Sequence, residues 1–396
     1  MDVRGKQRRS TIRRRRLALG GALVVVVGVG LALGLSAGGG PSKKPSPSAS
    51  AKTASHTHVS SAAKKTANPH RASRPVDLAR LVGQLIVGTY NGAQPDAGFL
   101  ARVKAGQIGG VILFGYNTAA GLEATRQAIS ALQAAASAGG NPPLLVMTDQ
   151  EGGEVRRLPG PPALSAAAMS SPAVARSEGL AAGRLLRSVG VNVDLAPVAD
   201  VEPSPNFLGP RSFGGDPATV AARACAFAQG LEAAGVAYTL KHFPGLGLAP
   251  GDTDLERVIV DAPAAELRAD LAAYRACGAS PDGLVMVSSA IYPTLSGPAP
   301  AVMSPEIYLH ELPAALGQSG HLTISDALGT PAFAGQQAPV LHAIAAGLDL
   351  ALFSGSEGAS ASGYAQLLAD AQRGALPLRR LQAAVRAIEA LKRRLG

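Results

Sequence analysis

From residue 76 onward, eight short apolar runs alternate with Ala- and Leu-rich stretches, and this rhythm constrains the fold more than any other feature. The runs are Gln84 to Gly88, Gly110 to Phe114, Leu144 to Thr148, Val191 to Pro197, Val236 to Leu240, Gly283 to Ser288, His321 to Ser325 and Leu348 to Phe353. Each is too short for a helix and too uniformly apolar for a half-exposed strand, so each reads as a strand buried on both faces. The stretches between them, such as Ala218 to Gly235, are long enough for one helix and its loops. Eight such units over about 320 residues predict an α/β protein with a (β/α)8 TIM barrel as its single catalytic domain, 76–396. A doubly wound open sheet is the alternative, because spacing alone does not show closure. Leu381, Val385, Ile388 and Leu391 fall at helical spacing in 376–395 and predict a closing helix.

The segment before residue 76 is of another kind. The chain has a net charge of +10 over 396 residues, a value that would point to nucleic acid if it were spread evenly. Residues 1–74 carry 15 Lys and Arg against one acid, a balance of +14, whereas the remainder is at −4. The basic charge therefore belongs to an arm, and no nucleic-acid partner is expected. Residues 1–16 hold eight basic side chains and read as a cytoplasmic segment. An uninterrupted apolar run from Leu17 to Leu35 follows. At 1.5 Å per residue it would span about 28 Å, close to the hydrocarbon thickness of a bilayer. Residues 17–36 are thus expected to form a transmembrane signal anchor with the bulk of the chain extracytoplasmic. Leu35-Ser36-Ala37 also offers a small-residue cleavage site, which would give a secreted form instead. Residues 37–75 are Ser, Pro, Ala and Lys with almost no large apolar side chain, so a disordered linker is expected. Cys225 and Cys277 are the only cysteines; buried thiols are the plainer expectation and a disulfide the other.

Five consecutive strands end in polar groups, all on one rim if the sheet closes, and loops at the C-terminal ends of barrel strands build active sites. After the third run comes Asp149-Gln150-Glu151-Gly152-Gly153, with Arg156 and Arg157 beyond. After the fourth, Asp200 leads to Gly209-Pro210-Arg211-Ser212-Phe213-Gly214. Lys241-His242-Phe243-Pro244-Gly245 and then Asp252-Thr253-Asp254 follow the fifth, Ser288-Ser289 the sixth, and Ser325-Asp326 the seventh. Separated carboxylates among cations suit glycoside hydrolysis, where one carboxyl is acid/base and another nucleophile. Asp149 is suited to accept from sugar hydroxyls, and Arg211, Lys241 and His242 to donate. Arg211 could alternatively brace its loop through Asp200 or Asp216, and Glu151 and Arg157 read as loop braces. No metal-ligand spacing, dinucleotide glycine motif or nucleophile elbow occurs in 76–396, so neither a metal nor a cofactor is expected. With no Trp and 15 Phe and Tyr, a short exo-acting pocket is expected rather than a long groove, in a monomer.

Five segments in the same order, Asp149-Gln150-Glu151-Gly152-Gly153, Gly209-Pro210-Arg211-Ser212-Phe213-Gly214, Lys241-His242-Phe243-Pro244-Gly245, Val287-Ser288-Ser289-Ala290-Ile291-Tyr292-Pro293 and Ile324-Ser325-Asp326-Ala327-Leu328, resemble glycoside hydrolase family 3, above all its single-domain β-N-acetylhexosaminidase branch. The resemblance covers residues 76–396 and implies a TIM barrel, a retaining mechanism and no cofactor. It implies that Asp326 is the nucleophile and that Asp149, Arg211, Lys241 and His242 hold the sugar in the cleaved subsite. The branch carries Asp-Ser-His in the loop where this chain has Asp252-Thr253-Asp254; its His is the acid/base. Leu246 and Ser289 also stand where histidines are common. Either Asp254, with Asp252 sharing the task, has become the acid/base, or catalysis is lost and sugar binding remains. The implied substrate is a glycan or muropeptide with terminal β-linked N-acetylglucosamine; a β-glucosidase and an inactive wall-sensing protein are the other readings. An acidic pair beside the anomeric carbon disfavours phosphate as acceptor, so water is expected.

Overall fold

The computed structural model describes residues 77–277, 280–317 and 321–396. The expected cytoplasmic segment, anchor and linker of residues 1–75 lie outside the described residues. Among the described residues no helix is long and apolar enough to cross a membrane. The rest belongs to one compact unit, Ala72–Gly396.

Eight parallel strands form the centre: β1 (Ile86–Gly88), β2 (Gly110–Leu113), β3 (Leu145–Thr148), β4 (Val193–Asp194), β5 (Tyr238–Phe243), β6 (Gly283–Val287), β7 (Leu322–Ser325) and β8 (Ala351–Leu352). Parallel ladders join β8 to β1, β1 to β2, β2 to β3 and β3 to β4, and others join β5 to β6 and β6 to β7. Single parallel bridges, Val193 with Ala237 and Ile324 with Leu350, connect β4 to β5 and β7 to β8. Hydrogen-bonded neighbours therefore run once round the ring and back to β1, a TIM-barrel-like arrangement and not an open doubly wound sheet. Helices alternate with the strands, among them Leu122–Ala138, Pro172–Val189 and Pro217–Ala233. Asp216 caps the last of these by accepting from the Thr219 N–H at 2.9 Å. The expected closing helix runs Leu378–Leu395, with Leu381, Val385, Ile388 and Leu391 all buried.

Every apolar run contains a strand, but the fifth differs at its end. Instead of stopping at Leu240, β5 continues through Lys241 and His242 to Phe243. Its pairing with β6 shifts between Leu240 and Phe243, and the Lys241 carbonyl accepts from the Ala199 N–H at 2.6 Å. Polar side chains sit in the strand because the backbone keeps its partners while the side chains reach the barrel mouth. Cys225 and Cys277 form a disulfide with 4.9 Å between their Cα atoms, joining helix Pro217–Ala233 to helix Leu271–Cys277. The plainer expectation of free thiols is corrected here: sequence spacing does not show that the two helices pack side by side.

Candidate active site

The loop after β3 turns back at once as a small antiparallel hairpin, Gln150–Gly152 against Val155–Arg156. Gln150 pins it. Its side-chain oxygen accepts from the backbone N–H groups of Arg157 and Leu158, both at 3.0 Å, and its amide donates to the carbonyls of Leu158 and Pro161. Beneath, the Gln150 N–H donates to Asp194 at 3.0 Å. Burial pushes the Asp194 carboxyl up to about 8, so it is neutral at pH 7 and imposes no buried charge.

This anchoring aims Asp149 and Glu151 at β5. Lys241 Nζ lies 2.8 Å from Asp149 and 2.6 Å from Glu151. Arg211, from the loop after β4, makes a bidentate pair with Glu151, each contact 2.8 Å. Arg211 is thus braced by neither Asp200 nor Asp216, and Glu151 does more than brace its own loop. Burial alone would raise the Glu151 carboxyl, but the charges of Lys241 and Arg211 hold it down to about 2. Burial likewise works against the Lys241 ammonium, and the Asp149 and Glu151 carboxylates overcome it, leaving its pKa raised. Two cations are balanced here by two carboxylates in a buried network, the arrangement that keeps buried charges tolerable.

Asp200 organises the neighbouring wall. Its carboxylate accepts from the backbone N–H groups of His242 at 3.0 Å and Leu246 at 2.8 Å. Its second oxygen lies 2.8 Å from His242 Nδ1, so Nδ1 carries the proton and Nε2 is the ring nitrogen left for the cleft. Close approach demands glycine twice in the next loop. A Cβ on Gly245 would fall 1.8 Å from the Asp270 carboxylate, and one on Gly247 1.6 Å from the Val201 carbonyl. Asp270 in turn accepts from the Val201 N–H at 3.1 Å, tying the loops after β4 and β5 together.

That second loop delivers Asp252, Thr253 and Asp254 to the same cleft as Asp326, the residue after β7. The Thr253 hydroxyl lies 3.4 Å from Asp326 Oδ2, and Asp326 Oδ1 accepts from the Ala327 N–H at 2.8 Å. Asp252 accepts from the Asp254 N–H at 2.9 Å, which fixes the turn. Partial loss of water around the carboxyl, and next the negative charges of Asp326 and Asp252, push Asp254 up to about 6, with His242 acting against them. Asp254 as a residue stays exposed at the rim, so the desolvation is incomplete and the neighbouring carboxylates matter all the more.

The cleft encloses about 170 Å³ and is lined by every site residue expected from the sequence: Asp149, Arg211, Lys241, His242, Asp252, Asp254 and Asp326. Glu151 and Arg157 line it too. Arg157 is held only loosely, 3.9 Å from Asp149, and its buried Nε has no hydrogen-bond partner, so its guanidinium has donors to spare. Adjacency to the Gly-Gly hairpin was the one signal for it. Leu246 forms apolar wall where an imidazole was looked for, while Ser289 is buried and its hydroxyl lacks a partner. Among the described residues no group of His, Cys, Asp and Glu has the geometry to hold a metal ion.

Residues 78–391 match the glycosyl hydrolase family 3 N-terminal domain. The chain belongs to glycosyl hydrolase family 3. Its enzyme class is that of a glycosidase. An uncharacterized secreted glycosyl hydrolase of Arthroderma benhamiae is 34% identical over 335 residues, covering 81% of this chain and 95% of that protein. A beta-hexosaminidase of Mycobacterium tuberculosis is 36% identical over 253 residues, covering 62% of each. Among solved structures, a family 3 beta-N-acetylglucosaminidase from a Paenibacillus species superposes with a TM-score of 0.76 at 28% identity, over 81% of this chain and 63% of that one. The beta-N-acetylhexosaminidase of Beutenbergia cavernae gives 0.69 at 32% identity, over 81% of this chain and 98% of that one. This family 3 chain thus spans nearly all of some relatives and less than two thirds of others.

Proposed function

We propose that this family 3 protein is a retaining, exo-acting β-N-acetylglucosaminidase that uses Asp326 as nucleophile and Asp254 as acid/base. The observation that carries the reading is the meeting of the Asp252-Thr253-Asp254 loop with Asp326, bridged by the 3.4 Å contact of Thr253, in one cleft floored by Lys241 and Arg211. In the first step an Asp326 oxygen bonds to the anomeric carbon, the glycosidic C–O bond breaks, and Asp254 gives its proton to the departing oxygen. In the second step Asp254 takes a proton from water as that water's oxygen attacks the anomeric carbon and frees Asp326. A carboxyl near 6 is suited to both roles around neutral pH. Asp149, Arg211, Lys241 and His242 are assigned to the sugar's hydroxyl and acetamido groups, with Arg157 added as a donor. The relatives' printed activities support N-acetylglucosamine as the sugar.

The finer setting is part of the same proposal. The domain is taken as 76–396 and as a monomer. Residues 17–36 are proposed to tether it outside the cytoplasmic membrane, or to release it if cut, and the secreted fungal relative supports an extracytoplasmic site. Cell-wall glycans are the proposed source of substrate.

Hydrolysis of p-nitrophenyl β-N-acetylglucosaminide against the β-glucoside, with Asp326→Ala as control, tests the function. Cleavage of the N-acetylglucosaminide, the β-anomer as first product and loss of activity in the variant are expected. Preference for the glucoside would make it a β-glucosidase. Activity on neither, with sugar binding retained, would make it a silent sugar-binding protein. Sugar 1-phosphate as the main product in phosphate buffer would replace water as the acceptor.

A further inference from the structure

We infer that the floor of the barrel is a docking surface for an anionic lipid membrane, made by the exposed face of the closing helix Leu378–Leu395. That helix lies across the N-terminal ends of the strands. At its start Arg380 donates to the carbonyls of Gly347 and Leu348 and to the Asp349 carboxylate, just before β8. At its other end Lys392 donates to the Gly109 carbonyl before β2, and Arg394 to Asp282 before β6. The Leu395 carbonyl accepts from Arg187, at the end of the helix that leads into β4. The cleft opens at the C-terminal ends of the same parallel strands, so helix and cleft occupy opposite ends of the barrel.

The charge of the domain is divided in the same way. Residues 378–395 hold six basic side chains against Glu389, a balance of +5, which leaves the remainder of 75–396 at −9. The apolar face of the helix is buried under the barrel. On its exposed face Arg379, Arg386 and Arg393 recur every seven residues, a row of guanidiniums about 10 Å apart. Arg379 and Arg386 make no hydrogen bond or ion pair with any described residue, and Arg393 lies 3.7 Å from Glu389. A row about 21 Å long is too extended for one small anion. A helix packed flat on a barrel cannot enter a nucleic-acid groove, whereas a plane of lipid phosphates meets all three arginines at once. The first described helix, Leu78–Gln84, packs on this one, and Gln84 accepts from Lys392 at 2.8 Å, so the chain enters the barrel at the floor. The inference rests on the tether proposed for residues 17–36, which supplies the lipid surface. Docked in this way, the cleft faces away from the membrane, toward the glycans.

The test places the full-length protein in phosphatidylcholine vesicles with and without about 30% phosphatidylglycerol, and reads energy transfer to acceptors on the lipid headgroups. Cys225 and Cys277 are bridged, so Gln382→Cys or Leu255→Cys gives a single labelling site, the first on the closing helix and the second beside Asp254 at the mouth. Transfer from the helix label should rise with phosphatidylglycerol, exceed that from the mouth label, and fall back in about 0.5 M salt. A basic residue near an anionic surface contributes about fivefold, so replacing Arg379, Arg386 and Arg393 together by Gln should lower the docked-to-free ratio about a hundredfold. Replacing them by Lys, which keeps the charge, should preserve docking. Transfer indifferent to phosphatidylglycerol, transfer unchanged by the Gln substitutions, or equal transfer from the two labels would overturn the inference. Undocking by a DNA duplex at equal phosphate concentration would also overturn it, in favour of a nucleic-acid surface. Failure of the tether shows separately, as protein that does not float with phosphatidylcholine vesicles, and would remove this inference with it.

Discussion

Replacing Asp254 by Asn separates an acid/base from a bystander, because the two predict different dependences on leaving group and pH. The Asp254 carboxyl stands at about 6, raised by partial burial and then by Asp326 and Asp252. If it must be protonated in the first step, kcat/KM holds below pH 6 and then falls tenfold per pH unit. By pH 8 only about 1% of the plateau remains. An alkyl glycoside, whose alcohol cannot leave without a proton, should lose about 10²- to 10⁴-fold in Asp254→Asn. The p-nitrophenyl glycoside, whose phenolate leaves unaided, should lose far less in its first step. Its limiting step becomes attack by water, so azide should restore turnover and yield the β-glycosyl azide. Asp252→Asn takes one negative charge from beside Asp254, so the alkaline limb should move to lower pH without vanishing. Initial rates from pH 4.5 to 8.5 on both substrates give all these quantities. Equal losses on the two glycosides, or an alkaline limb unchanged in Asp254→Asn, would refute the reasoning; rescue by azide in Asp252→Ala instead would move the role to Asp252.

Glu151→Gln leaves the buried Lys241 and Arg211 with one anion fewer and should cost about 3–5 kcal/mol in a denaturant titration at pH 7. Because the folded carboxyl lies near 2, below its unfolded value, its stabilisation is full above about pH 4.5 and is lost as pH falls toward 2; the variant should lack that acid-side slope. Lys392 is buried with its ammonium donating to Gln84 Oε1 and the Gly109 carbonyl, both at 2.8 Å, and burial lowers its pKa to about 7. The unfolded chain therefore binds one more proton between pH 7 and about 10, and stability rises with pH across that window. Relative to Lys392→Met, the wild type should gain roughly 2 kcal/mol between pH 7 and 9; a constant difference would contradict the assignment. Removing the Cys225–Cys277 bridge by a double Ser substitution, which opens a loop with a sequence separation of 52, should lower stability by about 4 kcal/mol if chain entropy dominates.

The ring of strands was legible because parallel barrel strands are buried on both faces and so stand out as uniform apolar runs between helices. That Asp149, Lys241, His242 and Asp326 would gather on one rim was legible for a related reason: Asp149, Lys241 and Asp326 are the first charged groups after such runs, and His242 follows Lys241 directly. The partners were not. Glu151 meets Arg211 and Lys241 only because the hairpin after β3, the loop after β4 and the end of β5 converge, and nothing local distinguishes it from a solvated acid. Asp200 could be read as a loop carboxylate but not as the group holding His242 and Leu246. Lys392 lies in a strongly amphipathic helix where a lysine is ordinarily surface, and its burial depends on the barrel floor above it. The end of β5 was misplaced because polarity was taken to end a strand, whereas here the barrel mouth accommodates polar side chains on continuing strand backbone.

The most direct test is to trap the intermediate. Incubation with a slowly turned-over 5-fluoro-N-acetylglucosaminyl fluoride, followed by proteolysis and mass spectrometry, should find one sugar on the peptide containing Asp326. A label on another carboxylate, or steady turnover with inverted anomeric configuration and no labelled peptide, would contradict the account.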